Sequence, residues 1–179
     1  MSGYLKIILG PMFSGKTTEL IRIFHRYNAC NIPVCAVNYK EDTRYHEYLM
    51  STHNKDTIPS INLYKLSELK NAYTQNKYDV FLINEGQFFE DLYDTVDELV
   101  NTYNKKVYVC GLDGDYKQEV FPNCKLLDLI PFSTSIIKLN AKCSFCKNKA
   151  PFTKRIINSD NIVLIGGSES YQPVCIKHL

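Results

Sequence analysis

The apolar positions of the chain alternate between compact runs and runs spaced at three or four. Residues 4–9 form a compact apolar run that reads as a buried strand. From Thr17 onward, Leu20, Ile23, Phe24 and Tyr27 fall at helical spacing, with Arg22 and Arg26 on another face. Pro33 opens a second strand over residues 34–39. The polar stretch 40–60 that follows is long for a plain connection, which in compact domains points to function. Ser67 is placed to cap a helix carrying Leu69 and Tyr73, and residues 79–83 make a third apolar strand. Leu92, Val96, Leu99, Val100 and Tyr103 repeat at helical period before a fourth strand over 106–112. Pro131 interrupts 125–139, so a short helical or irregular segment is expected there, then a strand near 136–140. Strands alternating with helices imply right-handed crossovers and an α/β fold, a mostly parallel sheet with helices on both faces.

At 179 residues the chain suits one domain of ordinary size with a small appendage. Its net charge of +2, with no basic cluster longer than Lys154-Arg155, argues against wrapping nucleic acid or adhering to a membrane, so any anion is held locally. The opening apolar run is short and broken by Lys6, unlike a signal peptide or membrane span. Its seven cysteines, an odd number, fit a reducing compartment, so the cytoplasm is expected, that of a host cell if the source is viral. Cys30, Cys35, Cys110 and Cys124 stand alone and read as ordinary thiols.

Between the first strand and the first helix lies Gly10-Pro11-Met12-Phe13-Ser14-Gly15-Lys16-Thr17, which fits the phosphate-binding pattern G-x-x-x-x-G-K-[ST]. The glycines let successive N–H groups turn inward toward phosphate oxygens. Lys16 brings positive charge to the outer phosphates, and the Thr17 hydroxyl is placed to touch Mg²⁺. The following helix offers its positive end to the same anion. The third strand ends in Asn84-Glu85-Gly86-Gln87-Phe88-Phe89. Strand alternation puts residues 84 and 85 on opposite sides, one toward the metal and one toward the phosphate acceptor. Gly86 then permits a sharp exit, and the two aromatics offer a stacking platform. Glu85 is the candidate general base for a hydroxyl attacking a γ-phosphate. It reads as well as a helix-start carboxylate for a helix beginning near Glu90.

Cys143-x-x-Cys146 and, after 28 intervening residues, Cys175-x-x-His178 have the spacing of two clips that close a tetrahedral structural zinc site. Closing such a loop costs about 3 kcal/mol, whereas structural zinc contributes roughly 10–16 kcal/mol in small peptides. Four protein ligands leave no position for water, so this zinc is structural. Between the clips, an apolar run over 162–165, Gly166-Gly167 and Tyr171 form a loop anchored at both ends. Such a loop can fold over a bound molecule and grip the edge of a planar base through its backbone; a plain zinc-ribbon hairpin without ligand is the alternative.

The phosphate loop with Pro-Met-Phe-Ser inside it, Asp42-Thr-Arg-Tyr45, Glu85-Gly-Gln-Phe-Phe89, Leu112-Asp-Gly-Asp-Tyr116, Thr153-Lys-Arg155 and Ile165-Gly-Gly167 with Tyr171 run in order over nearly the whole chain. This series resembles the zinc-containing, type II thymidine kinases of animal cells, bacteria and poxviruses, and the short termini are most like the poxvirus members. The resemblance implies a P-loop, RecA-like parallel sheet flanked by helices over residues 1–140 and a zinc-ribbon lasso over 141–179. It implies transfer of the γ-phosphate of ATP to the 5′ hydroxyl of thymidine, deoxyuridine being poorer, with Mg²⁺ and structural Zn²⁺. By position, residues 10–17 hold the triphosphate, Glu85 takes the hydroxyl proton, and Asp42, Arg44, Asn84 and Gln87 lie close to the nucleotides. Phe88, Leu112, Tyr116, Phe121, Thr153, Ile162, Leu164 and Tyr171 line the thymidine pocket. The backbone from Ile162 through Val163 and Ile165 to Gly166 reads the base, with Met12 and Leu112 walling its methyl group. Cys143, Cys146, Cys175 and His178 hold the zinc. Such enzymes are typically tetramers held back by thymidine triphosphate, so a homotetramer with that inhibitor is expected.

Three positions depart from the family pattern. Asn84 stands where the family usually has Asp, which removes a charge from the magnesium shell while keeping an acceptor for metal-bound water. His178 stands where Cys is frequent, and Tyr116 where Phe is common. A reading from a different class also exists, a zinc-ribbon nucleic-acid or protein-binding module riding on a nucleotide switch. Lys142, Lys147, Lys149, Lys154 and Arg155 supply its charge, but few aromatics interleave with them.

Overall fold

A computed structural model describes residues 2–41, 49–52, 55–159, 161 and 164–179. The candidate positions Asp42, Arg44, Ile162 and Val163 lie outside these residues. Up to residue 140 the strands are β1 (Tyr4–Leu9), β2 (Val34–Tyr39), β3 (Leu49–Ser51), β4 (Thr57–Pro59), β5 (Ile61–Leu63), β6 (Val80–Ile83), β7 (Lys106–Gly111) and β8 (Ser135–Lys138). The α-helices are α1 (Lys16–Asn28), α2 (Lys70–Thr74) and α3 (Leu92–Asp97). Six strands form one sheet in the order β5-β2-β6-β7-β1-β8, and every pairing is parallel.

The apolar runs are nearly continuous because both faces of this sheet are covered. Leu5, Ile7 and Leu9 of β1, Phe81 and Ile83 of β6, and Val107 and Val109 of β7 enter one core with Leu92, Val96 and Leu99. The intervening Ile8, Leu82, Tyr108 and Cys110 enter a second core with Leu20, Ile21 and Ile23 of α1. Helix α1 therefore lies on one face and α3 on the other, as the alternation of elements predicts.

Two expectations need correction. The stretch 40–60, read as a long loop, contains β3 and β4 paired as an antiparallel hairpin, and just beyond it β5 adds a parallel edge strand to β2. The hairpin is held by Met50 and Ile58, both buried against the α1 core, a two-residue anchor too short for any period to reveal. Ser67 does not cap a helix. It lies within a tight turn, Leu66–Leu69, that precedes α2, and the carboxylate of Asp91 accepts the Leu66 and Ser67 N–H groups at 3.0 and 2.9 Å. The cap thus comes from a residue distant in sequence. The segment around Pro131 is a tight helical stretch, Leu127–Phe132, followed by β8.

From residue 141 the chain forms β9 (Ala141–Lys142), β10 (Lys149–Ala150), β11 (Phe152–Arg155) and β12 (Tyr171–Val174). β9 pairs with β10 and β11 with β12, both antiparallel. Among the described residues, no helix is long and apolar enough to cross a membrane.

Candidate active site

The loop after β1 turns on three residues with positive φ, Gly10 at 149°, Phe13 at 64° and Gly15 at 87°. Gly15 adopts this conformation without strain and starts α1, whereas Phe13 pays for it with strain that needs support. Left-handed residues alternating with right-handed ones turn successive N–H groups to one side, a concavity suited to an anion at the helix N-terminus. Lys16 is buried, and its Nζ donates to the Pro11 carbonyl at 2.8 Å.

Beyond the end of β6, Asn84 and Glu85 diverge as expected, but not by strand alternation. Glu85 itself is left-handed, at φ 53°, which swings its side chain away from that of Asn84. Gly86 is needed for a different reason from the exit turn, because a Cβ there would stand 2.7 Å from Val109 Cγ1 of β7. The Thr17 hydroxyl donates to Asn84 Oδ1 at 3.3 Å, and the Cys110 thiol donates to the same oxygen at 2.9 Å. Burial, then the charge of Glu85, pushes this thiol up to about 12, so it remains a neutral donor. Asn84 Nδ2 donates to Asn38 Oδ1 at 3.1 Å, and Asn38 Nδ2 donates in turn to Ser60 Oγ at 3.2 Å. The orientation of the Asn84 amide is thereby set.

Glu85 is buried, and its Oε2 accepts a hydrogen bond from Gln87 Nε2 at 2.6 Å. Gln87 Oε1 accepts the Leu112 N–H at 3.0 Å, so this amide ties the carboxylate to the start of the next loop. Glu85 precedes a short 3₁₀ turn, Gly86–Phe88, which its side chain does not cap, and α3 begins only at Leu92 after Asp91, so the carboxylate is not the start of the helix expected near Glu90.

Glu85 faces a cleft of about 530 Å³, counting the part open to solvent. Its walls bring together Phe88, Leu112, Tyr116 and Phe121 from the sheet side. Thr153, Leu164, Ile165, Gly166 and Tyr171 come from the C-terminal side, and Met12 comes from the phosphate loop. Arg155 stacks on the Tyr116 ring at 3.8 Å and donates to the Tyr171 hydroxyl at 3.0 Å, which donates to the Leu164 carbonyl at 2.8 Å. The ring of Tyr116 thus has a cationic partner.

Three features escaped the sequence reading. Gly114 and Asp115 also line the cleft, and Asp115 Oδ1 accepts the Lys117 and Glu119 N–H groups at 2.7 and 3.0 Å, shaping the loop. Their signal was present, since both sit within Leu112-Asp-Gly-Asp-Tyr116. Asn38 was the single polar residue inside an apolar strand. Arg155 belongs to the motif Thr153-Lys-Arg155 and to the basic residues of the tail, but its stacking on Tyr116 has no signal in the sequence.

The ligand atoms of Cys143, Cys146, Cys175 and His178 all lie within 4.8 Å of one another. A tetrahedral zinc with ordinary bond lengths requires S···S edges of about 3.8 Å and S···N edges of about 3.6 Å. The observed Cys146–Cys175 separation is 3.6 Å, and His178 Nδ1 stands 3.5 and 3.2 Å from Cys143 and Cys175. Burial raises the Cys143 thiol, but N–H groups of Cys146, Cys175 and Phe145 outweigh it and leave it lowered to about 6. The donor set and its spacing fit zinc.

The sequence pattern of the family described as thymidine kinase matches residues 3–179. The chain belongs to the thymidine kinase family. It is 43% identical over 174 residues to the thymidine kinase of Yaba monkey tumor virus, covering 97% of this chain and 93% of the relative. Thymidine kinase 1 of Dictyostelium discoideum is 40% identical over 98% of this chain and 77% of its own. The thymidine kinase of Variola virus is 39% identical over 98% of this chain and 96% of its own. For a thymidine kinase family member, the phosphate loop, the buried carboxylate and the apolar cleft are adjoining parts of one surface.

Proposed function

We propose that the protein transfers the γ-phosphate of ATP to the 5′ hydroxyl of thymidine. The observation that carries this reading is the placing of Glu85 in the wall of a cleft that also includes Met12 of the phosphate loop, so donor and acceptor sites meet at one carboxylate. Residues 10–17 hold the triphosphate through backbone N–H groups and the Lys16 charge. Glu85, oriented by Gln87, accepts the hydroxyl proton as the hydroxyl oxygen attacks phosphorus. The largely apolar walls keep water from competing as acceptor. Met12 and Leu112 are suited to the methyl of thymine, which such a recess discriminates by only about 1–3 kcal/mol, so deoxyuridine is a poorer substrate and not an excluded one.

Thr17 and Asn84 are the residues that would hold Mg²⁺, whose charge would offset that of the phosphates. Cys143, Cys146, Cys175 and His178 would hold zinc as a structural ion. The reading extends to residues 1–140 as the nucleotide-binding domain and 141–179 as the zinc and lasso domain. It extends also to a cytoplasmic homotetramer inhibited by thymidine triphosphate, supported by the family resemblance. The test is turnover. Purified protein with thymidine and MgATP is expected to yield thymidine monophosphate and ADP in equal amounts. A nucleoside panel in which thymidine gives no product while another acceptor does would overturn the assignment.

A further inference from the structure

The phosphate loop and the Cys/His segment are distant in sequence, yet they are joined at two points. The Met12 N–H donates to Thr153 Oγ1 of β11 at 3.0 Å, across 141 positions of chain. The next residue, Phe13, packs against the small core formed by Ala141, Cys143, Ala150, Val174 and Cys175. Phe13 is also the residue held at φ 64°. A bulky residue in that conformation is strained and persists only where its surroundings over-determine it. Here the surroundings are the hydroxyl that holds the Pro11–Met12 peptide, one residue before Phe13, and the apolar core that receives the ring.

Thr153 has a second exposure. It is 6% accessible, and it belongs to the wall of the nucleoside cleft, as Met12 does. One side chain therefore touches both halves of the site, its oxygen engaged with the phosphate loop while its surface faces the place proposed for thymidine.

The geometry points to Thr153 as a positioning residue that couples the triphosphate site to the nucleoside cleft. The inference rests on the proposed thymidine kinase activity and adds a communication route to it. The strained loop is competent for phosphate only while Met12 and Phe13 are held, and its apparent affinity scales with the competent fraction. A bound triphosphate fixes the loop, which fixes Thr153 and the cleft wall. Nucleoside then binds to a wall already ordered. Because the coupling is an equilibrium property, nucleoside must favour triphosphate by the same factor. The Met12 N–H is thus spent on transmitting the loop's state, leaving the N–H groups that follow it to face phosphate.

The experiment measures thymidine dissociation constants by calorimetry, with and without a non-hydrolysable ATP analogue and Mg²⁺, on the full chain with its zinc. In the unaltered protein the analogue is expected to tighten thymidine binding about tenfold, within the usual range for coupled sites. Thr153→Val keeps the shape and removes the acceptor, and the ratio should fall to near one. Thr153→Ser restores the acceptor, and the ratio should return. If Thr153→Val does not fold, Thr153→Ala removes the same oxygen with less bulk and is read in the same way. A ratio of one in the unaltered protein, or an undiminished ratio without the hydroxyl, overturns the coupling while leaving the kinase assignment intact. Absence of both thymidine binding and turnover would instead remove the assignment.

Discussion

The sheet and the Cys/His segment meet at one cleft but are held together by different means. The sheet buries both faces, with Ile7, Ile8, Phe81, Leu82, Ile83, Val107 and Val109 fully excluded from solvent between α1 and α3. Among the described residues, the segment has a core of five buried side chains, Ala141, Cys143, Ala150, Val174 and Cys175, two of which are candidate metal ligands. Burying a Val side chain is worth only about 1.5–3 kcal/mol, and alanines give less. That cannot offset the entropy of ordering the segment, at about 1–2 kcal/mol per residue for backbone alone. The sheet is stabilised by apolar area, and the segment depends on the coordination proposed for its Cys/His cluster.

The largest expected effect breaks this contrast directly. Removing zinc with a chelator, or changing Cys143→Ser, should abolish the segment's order, since structural zinc contributes roughly 10–16 kcal/mol in small peptides. Limited proteolysis should then cut within 141–179 while the sheet stays protected, and thymidine turnover should be lost because Thr153, Leu164 and Tyr171 leave the cleft. A chelated protein whose tail resists protease would mean that packing, and not metal, holds the segment.

The same contrast explains what could be read in the sequence. The sheet strands β1, β2, β6 and β7 announce themselves because nearly every residue on both faces is apolar, Lys6, Asn38 and Lys106 apart, so composition alone marks them. β9 and β10 are two residues each and carry no period. They were invisible, while the four ligands around them were plain because coordination fixes residue type and spacing. The Asp91 cap and the Thr153–Met12 bond escaped because each joins residues far apart in the chain, and nothing local demands either partner. The motif positions of the cleft were legible through resemblance, but their assembly around Glu85 required the fold.

A smaller effect separates the roles of the two regions. Glu85→Gln keeps the shape of the side chain and its contact with Gln87 while removing the base. Turnover should fall about 10²-fold or more, since positioned bases contribute on that scale. ATP affinity and the KM for thymidine should stay near their original values, because the phosphate loop and the apolar walls are unchanged. Disturbing the C-terminal segment should do the reverse and act first on thymidine KM. If Glu85→Gln retained most of its kcat, the chemistry would not belong to the end of β6.

The smallest effect lies wholly within the sheet. Asn84 and Asn38 form an uncharged amide pair, with Asn84 Nδ2 donating to Asn38 Oδ1 at 3.1 Å. A carboxylate at 84 cannot donate that bond. It can be accommodated if Asn38 turns its amide to present N–H groups to the carboxylate, leaving its oxygen toward the Ser60 hydroxyl, which can donate to it. Asn84→Asp would then place a negative charge beside Thr17, where magnesium is proposed to bind. The magnesium concentration for half-maximal rate should drop about fivefold, which corresponds to about 1 kcal/mol and suits one added charge in a partly screened site. Thymidine KM should not move, since neither amide belongs to the cleft wall. Combining Asn84→Asp with Asn38→Leu removes the compensating donor, so the gain in magnesium affinity should shrink or reverse. If the magnesium titration is the same in all three proteins, the amide pair has no part in the metal site.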